Sequence, residues 1–160
     1  EGLQVLDLFG GTGSISFEFA SRGASMVYCV EMLPMHANFI KSQAAKFALK
    51  NLTVVRHNVF EFLEICHEKF DIIFADPPYA LEDLATIPDK VFAKDILHPG
   101  AYFILEHPGE HNFEVLRAAF ACCNPGLEIY RNCGKLLKTG NVEAAGKVPQ
   151  WLRMQQLKIL

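Results

Sequence analysis

The sequence predicts a doubly wound α/β domain, with a parallel sheet covered on both faces. Three observations carry this. Short runs rich in Val, Ile, Leu and Phe, apolar on both faces, recur along the chain. Stretches with helical spacing separate them, so strand and helix alternate. Glycine, proline or asparagine marks several of the junctions.

The first strand falls over residues 3–9 (LQVLDLF), and a helix follows over 14–23 (SISFEFASRG), stopped by Gly23. A second strand covers 25–31 (SMVYCVE). The long helix over 34–51 has Pro34 in its first turn and Asn51 at its end. A third strand at 52–57 (LTVVRH) leads to a short helix at 59–69. The fourth strand, 70–75 (FDIIFA), is apolar except for Asp71. Residues 81–97 read as mostly helical, interrupted by Pro88, before a fifth strand at 101–107 (AYFILEH) and a fifth helix at 112–123. One or two late strands fit 126–138, and 139–160 shows no clear period. The domain is expected over residues 1–131, with 132–160 a tail that forms the last strand or is poorly ordered.

The chain has 160 residues and is 51% apolar, enough for one domain with a sizeable core. No apolar run reaches the length of a membrane span, and no signal segment opens the chain. Glu1 stands where a methionine would, and a strand begins almost at once, so the natural N-terminus is expected to lie further upstream. Five cysteines, Cys29, Cys66, Cys122, Cys123 and Cys133, show neither a C-x-x-C pair nor zinc spacing. They read as reduced thiols of a cytoplasmic protein. From Arg131 onward six Lys/Arg face one acid, Glu143, a net of +5; the whole chain carries −3, which leaves −8 for the rest. Such a basic tail on an acidic body is suited to phosphate, or is a solvated end.

Ligands of doubly wound folds bind past the carboxyl ends of the strands. The residues there are Asp7 to Gly13, Glu31, Asn58, Asp76 to Tyr79, and Glu106 with His107. Gly10, Gly11 and Gly13 permit unusual backbone angles and close approach to the main chain. A loop that opens a helix offers N–H groups to an anion. Eighteen residues after Gly13, Glu31 ends the second strand, where its carboxylate can take both hydroxyls of a ribose. The pair indicates a nucleoside-containing cofactor; a purely structural turn is the competing reading of the loop. The dinucleotide pattern G-x-G-x-x-G fails, because Ser16 occupies the third glycine position.

The arrangement Asp7-Leu8-Phe9-Gly10-Gly11-Thr12-Gly13 instead resembles the S-adenosylmethionine loop of class I methyltransferases. That resemblance implies a site built from Asp7, Phe9, Gly10, Gly11, Gly13 and Glu31. In that class an Asp or Asn after the third strand contacts the adenine amino group, and the next backbone N–H contacts the ring. Asn58 and Val59 match by position, and an Asn helix cap is a compatible structural role. Met32 is placed to lie against the adenine face, with a core methionine as the alternative.

The fourth strand stops at Asp76-Pro77-Pro78-Tyr79. An exocyclic amine on a nucleobase is a poor nucleophile, since its lone pair is delocalised into the ring. Two acceptors on its N–H bonds favour the pyramidal geometry that attack on a methyl sulfonium needs. Asp76 supplies a carboxylate and Pro77 a carbonyl. Pro77 and Pro78 fix φ and keep the acceptors aimed. Tyr79 offers a ring for the base to stack on, worth roughly 1–3 kcal/mol. The structural reading is a strand end with a proline turn.

From Leu3 to about His107 the chain resembles the amino-methyltransferases with a (D/N)PP(Y/F) motif, and among them the RsmD family. The residues that carry this are LDLFGGTGSISFEFASRGA, Val30-Glu31, FDIIFADPPY and Leu105 to His107. The resemblance implies a Rossmann-like class I sheet of seven strands, mostly parallel with an antiparallel last strand. It implies S-adenosylmethionine as donor, with Asp76 beside it. The acceptor it implies is the N2 amine of a guanine in 16S ribosomal RNA, presented within the small-subunit ribonucleoprotein. A cytoplasmic monomer without metal or membrane attachment is expected. The family carries an N-terminal stretch with a basic hairpin before the glycine loop, and none of it is in this chain; its ending differs as well, with YRNCGK a remnant of a Tyr-Gly segment. Three alternatives stay open: another amino-methyltransferase, acting on adenine N6 or cytosine N4 in DNA or on a protein glutamine; a nicotinamide-dependent oxidoreductase, which leaves Asp76 to Tyr79 unexplained; and a catalytically idle nucleoside-binding fragment. Glu106 and His107 contact the base, shape the pocket or serve as satisfied strand-end residues. His107 and His111 do not make a metal site across Pro108-Gly109. Trp151 reads as packing or as loosely ordered rather than as a base-stacking ring.

Overall fold

The computed structural model describes residues 1–108. Readings that fall on the helix at 112–123, the late strands, the antiparallel last strand, the 132–160 tail, His111, Trp151, Cys122, Cys123 and Cys133 lie outside the described residues.

Among the described residues, five strands and four α-helices alternate in order: β1 Gln4–Leu8, α1 Ser14–Ser21, β2 Met26–Val30, α2 Pro34–Lys46, β3 Leu52–Val55, α3 Val59–Ile65, β4 Phe70–Ala75, a 3₁₀ turn Glu82–Thr86, α4 Ile87–Phe92 and β5 Leu97–Leu105. All strand pairings are parallel, in the order β3-β2-β1-β4-β5. The chain steps outward from β1 to β3, then crosses back to lay β4 on the other side of β1. That reversal opens a crevice between the carboxyl ends of β1 and β4.

Strand alternation sorts the core into two layers. Val5, Val27, Ile72, Phe74 and Ile104 pack against Phe19 and Ala20 of α1. Leu6, Leu8, Ile73, Phe103 and Leu105 pack on the opposite face with Phe62 and Leu63 of α3 and Ile87 and Val91 of α4. Asp71, the polar exception in β4, accepts the Gln4 N–H at 2.8 Å and so fastens the start of β1.

Several boundaries differ from the sequence reading, among them the end of α3, at Ile65 rather than 69, and of α1, at Ser21 rather than Gly23. Helix α2 ends at Lys46 rather than Asn51 because Ala48 turns left-handed, at φ 53°, and the Leu49 N–H returns to the Ala44 carbonyl at 3.0 Å. Asn51 is instead a tie: its Nδ2 donates to the carbonyls of Ala20 and Ala24. Residues 81–97 split in two, with Pro88 tolerated in the first turn of α4. Strand β5 starts at Leu97, opposite Phe70, and shifts register before Tyr102 meets Ile72; Gly100, at φ 79°, sits in that irregularity.

Ala48 holds a conformation that costs a residue with a Cβ about 1–2 kcal/mol. Ala48→Gly is therefore expected to raise the stability to urea unfolding, by roughly 0.5–1 kcal/mol after the extra chain entropy of glycine. A loss of stability would contradict this account of the helix end.

Candidate active site

The loop after β1 is folded by its own packing. Phe9 takes φ 80°, unusual for a side chain of its size, and the Phe9 and Gly10 N–H groups both donate to the Val30 carbonyl, at 3.1 and 2.9 Å. A Cβ on Gly10 would stand 2.2 Å from Cys29 Sγ. One on Gly13, at φ 82°, would stand 2.9 Å from Ile40. These two glycines thus let the loop lie down on β2 and α2, while Gly11, with nothing nearer its Cβ position than 3.9 Å, faces open space.

Glu31 locks that loop. Its Oε2 accepts the Gly11 N–H at 2.8 Å and its Oε1 the Leu33 N–H at 2.7 Å. His36 Nδ1 stands 3.9 Å from the same Oε2. Two amides fix the buried carboxylate and leave acceptor capacity on both oxygens. A vicinal diol suits that capacity.

Beneath the loop lies Asp7, buried, taking the Ser16 Oγ–H at 2.5 Å. Its carboxylate is turned to α1, so it reaches the crevice through its field. Burial pushes its carboxyl up to about 6, against the Ser16 hydrogen bond, and Asp76 and Glu31 add to the rise. Burial, with Asp7 next, pushes the Cys29 thiol up to about 12.

The ends of β2 and β3 meet beside Glu31. The Glu31 N–H donates to the Val55 carbonyl, and the His57 N–H to the Glu31 carbonyl. Asn58 caps α3, its Oδ1 accepting the Phe60 N–H at 2.8 Å, while its Nδ2 faces Met32 Sδ at 3.9 Å. Met32 is exposed and Val59 is buried. Glu31, Met32 and Asn58 thus form one edge of the crevice.

Asp76 to Tyr79 form the other edge. Asp76 is exposed at the mouth, and the protein around it displaces enough water to raise its carboxyl. Pro77 is buried, and the Leu81 N–H closes a turn onto the Pro78 carbonyl at 2.9 Å, leaving Tyr79 half exposed at the bend. The Glu106 N–H donates to the Ala75 carbonyl at 2.8 Å, which sets Glu106 beside Asp76. Burial, helped by Asp76, pushes the Glu106 carboxyl up to about 7. His107 is buried, with Nδ1 2.8 Å from the Pro108 carbonyl. Among the described residues no group of three His, Cys, Asp or Glu side chains is placed to hold a metal ion.

Ser16, Cys29 and the Leu33 amide are the parts that sequence reasoning misses. Ser16 carries the one available signal, a hydroxyl on the buried face of a helix.

Asp7 has a consequence for stability. Folded, it keeps its proton up to about pH 6; unfolded, only to the ordinary aspartate range near ~4. Between these values the folded chain binds more protons, so this contribution to stability falls as pH rises through the window. Asp7→Asn keeps an acceptor for Ser16 and removes the titration. Its stability relative to wild type is expected to improve between about pH 4 and pH 7, by up to roughly 3 kcal/mol at about 1.4 kcal/mol per unit. Urea unfolding at several pH values checks this, and parallel curves would exclude it.

The family model described as "Conserved hypothetical protein 95" matches residues 1–124. The chain is 35% identical over 74 residues to "Ribosomal RNA small subunit methyltransferase D" of Buchnera aphidicola, an alignment covering 46% of this chain and 38% of that protein. It is 38% identical over 79 residues to "Ribosomal RNA large subunit methyltransferase K/L" of Shewanella sediminis, covering 46% of this chain and 11% of that protein. The chain thus spans well under two thirds of these curated relatives. The structure of a SAM-dependent methyltransferase from Agrobacterium tumefaciens shares the fold, with a TM-score of 0.63 at 21% identity over 81% of this chain and 46% of that one. The described sheet is that of a class I Rossmann-like methyltransferase, and the chain belongs to the Conserved hypothetical protein 95 family, the RsmD family.

Proposed function

We propose that this chain takes part in methyl transfer from S-adenosylmethionine to the exocyclic N2 amine of a guanine in small-subunit ribosomal RNA. The observation that carries the reading is the crevice itself. A clamped ribose-type carboxylate, Glu31, and an Asp-Pro-Pro-Tyr turn face each other across the β1/β4 reversal.

The residues fit the donor. Glu31 retains acceptor capacity for two hydroxyls, with Met32 and Asn58 alongside for a purine. Asp76 and Glu31 both act on Asp7, adding to the rise that burial causes, and such a gathering of acids near the loop favours a cationic ligand. When bound, S-adenosylmethionine supplies an electrophilic methyl on a positively charged sulfur, and the amine that takes it sheds a proton afterwards.

The protein's own part is positioning. Asp76 accepts one N–H of the amine and the Pro77 carbonyl the other. The prolines hold the carbonyl in place without loss of chain entropy on binding. Tyr79 stacks on the base. No strong base is needed, because the methylated amine is acidic.

Calorimetric titration tests the donor site. S-adenosylhomocysteine is expected to bind and NADH not to, with Glu31→Ala weakening the former at least ten-fold, about 1.4 kcal/mol. Binding of NADH alone would overturn the reading.

Asp76→Asn tests the acceptor site. It keeps S-adenosylhomocysteine affinity and is expected to lower the transfer rate by roughly 10²-fold, the scale for losing one preorganised polar contact. Undiminished transfer would remove Asp76 from the mechanism. A large-subunit acceptor is the second reading, favoured by the K/L relative. Labelled-methyl transfer to undermethylated 30S and 50S particles decides between them.

A further inference from the structure

Charge is segregated along the described residues. Residues 32–60 hold four Lys or Arg and no acid, a net of +4, whereas residues 61–108 hold three Lys and ten acids, a net of −7. The fold sets the helices of these two stretches on opposite faces of the sheet. Helix α2 lies beside α1: Ile40 sits against Gly13, and Phe47, just past α2, meets Phe17 of α1 edge to face at 5.8 Å. Helices α3 and α4 cover the face away from α1. In the acidic stretch the cations are engaged. Lys69 pairs with Asp95 at 2.8 Å, Lys94 with Glu64 at 2.6 Å, and Lys90 lies over the Phe60 ring. Lys41, Lys46, Lys50 and Arg56 are exposed, and no described acid stands within ion-pair distance of them.

Helix stability does not call for this pattern. An exposed helix gains from opposite charges four residues apart, and α2 has no acid to supply them. A place in the last turn accounts for Lys46 alone. Two large apolar side chains, Met35 and Phe39, stand one turn apart on the same helix and are 74% and 47% exposed. Cations interleaved with an exposed ring suit a single-stranded nucleic acid, which offers phosphates and unstacked bases together. The stretch also begins at the crevice. Helix α2 starts beside the Leu33 amide that Glu31 holds, and Arg56 follows Val55, the partner of Val30 at the carboxyl end of β2. The crevice itself is edged by Glu31 and Asp76, whose charges repel phosphate. A strand that delivers a base there needs its backbone held elsewhere.

We propose that the outer face of α2, with Arg56 past the end of β3, is the docking track of the acceptor RNA, its cations on the phosphates and Phe39 against an unstacked base. This rests on the methyltransferase reading above and adds to it where the RNA lies. The 13 residues of α2 run about 20 Å from the crevice rim, the length of several nucleotides. The acidic α3 and α4 turn the same polyanion away, so the two faces together bring the RNA in on the β3 side.

The test uses the 160-residue chain and fluorescein-labelled, mixed-sequence single-stranded RNA, with anisotropy read at several salt concentrations. Wild type is expected to bind with an affinity that falls as salt rises. Lys41→Gln, Lys46→Gln and Arg56→Gln together are expected to weaken binding at least ~10-fold at low salt. They are also expected to reduce the slope of log affinity against log salt by roughly 2, at about 0.7 per cation on a single strand. Phe39→Ser is expected to weaken binding about five-fold or more with the slope unchanged. Lys69→Gln with Lys94→Gln removes two cations from the acidic stretch and is expected to leave binding within about two-fold. S-adenosylhomocysteine affinity is expected to stay at the wild-type value in all three variants, the sign of an intact donor site. A triple variant with wild-type RNA affinity and slope overturns the track and leaves the methyltransferase reading intact. So does an equal loss on removing Lys69 and Lys94, the mark of a general effect of charge. So does a wild type that binds S-adenosylhomocysteine and no RNA; capture by phosphatidylglycerol vesicles would then assign the face to a lipid surface. Wild type that binds neither S-adenosylhomocysteine nor RNA overturns both.

Discussion

The site depends on one carboxylate held by two backbone amides. Glu31 takes the Gly11 N–H on one oxygen and the Leu33 N–H on the other. A buried carboxylate is tolerated when charge-assisted hydrogen bonds replace its water, and these two do so. The same pair joins the loop after β1 to the segment after β2. The orientation of the ligand-facing oxygens and the shape of the glycine loop are therefore a single constraint. The loop's strained member, Phe9 at φ 80°, is held there by the Val30 carbonyl and by this tie.

Sheet topology does the rest. Because β1 lies between β2 and β4, the carboxylates that end or follow these strands converge although they are distant in the chain. Beyond burial, which acts most, Asp76 and Glu31 raise the cost of ionising Asp7, and Asp76 does the same to Glu106. A scaffold selected only for stability would avoid such a concentration of like charge. Its presence at the topological reversal supports the site proposed there.

Much of this is legible in the sequence, for identifiable reasons. Strand β4 is read to the residue because Phe70 to Ala75 is apolar but for Asp71 and bounded by Lys69 and by Asp76-Pro77-Pro78. The spacing from Gly13 to Glu31 locates an acid just past β2, since β2 ends where its apolar run ends. The overrun of α2 has a different origin: Ala48 makes a turn that glycine would have advertised. Strand β5 is shortened in the reading because Pro99-Gly100 looks like a loop, whereas the sheet absorbs the pair as an irregularity. The Asp7–Ser16 bond is hidden because it joins two elements through side chains that periodicity treats as interruptions. The glycines are legible as a loop, but their reason is not. Gly10 and Gly13 make room for Cys29 and Ile40, contacts that only the folded packing reveals.

The closeness of Gly10 to Cys29 has a bearing on chemical reactivity. A thiol raised to about 12 and sealed under the loop has almost no thiolate at neutral pH and no path for a reagent. Alkylation of Cys29 therefore requires the loop to lift from β2, and its rate counts those openings. A ligand that bridges the loop and Glu31 withdraws the open form by mass action. The sulfur at the back of the pocket is thus a built-in reporter of occupancy at the front.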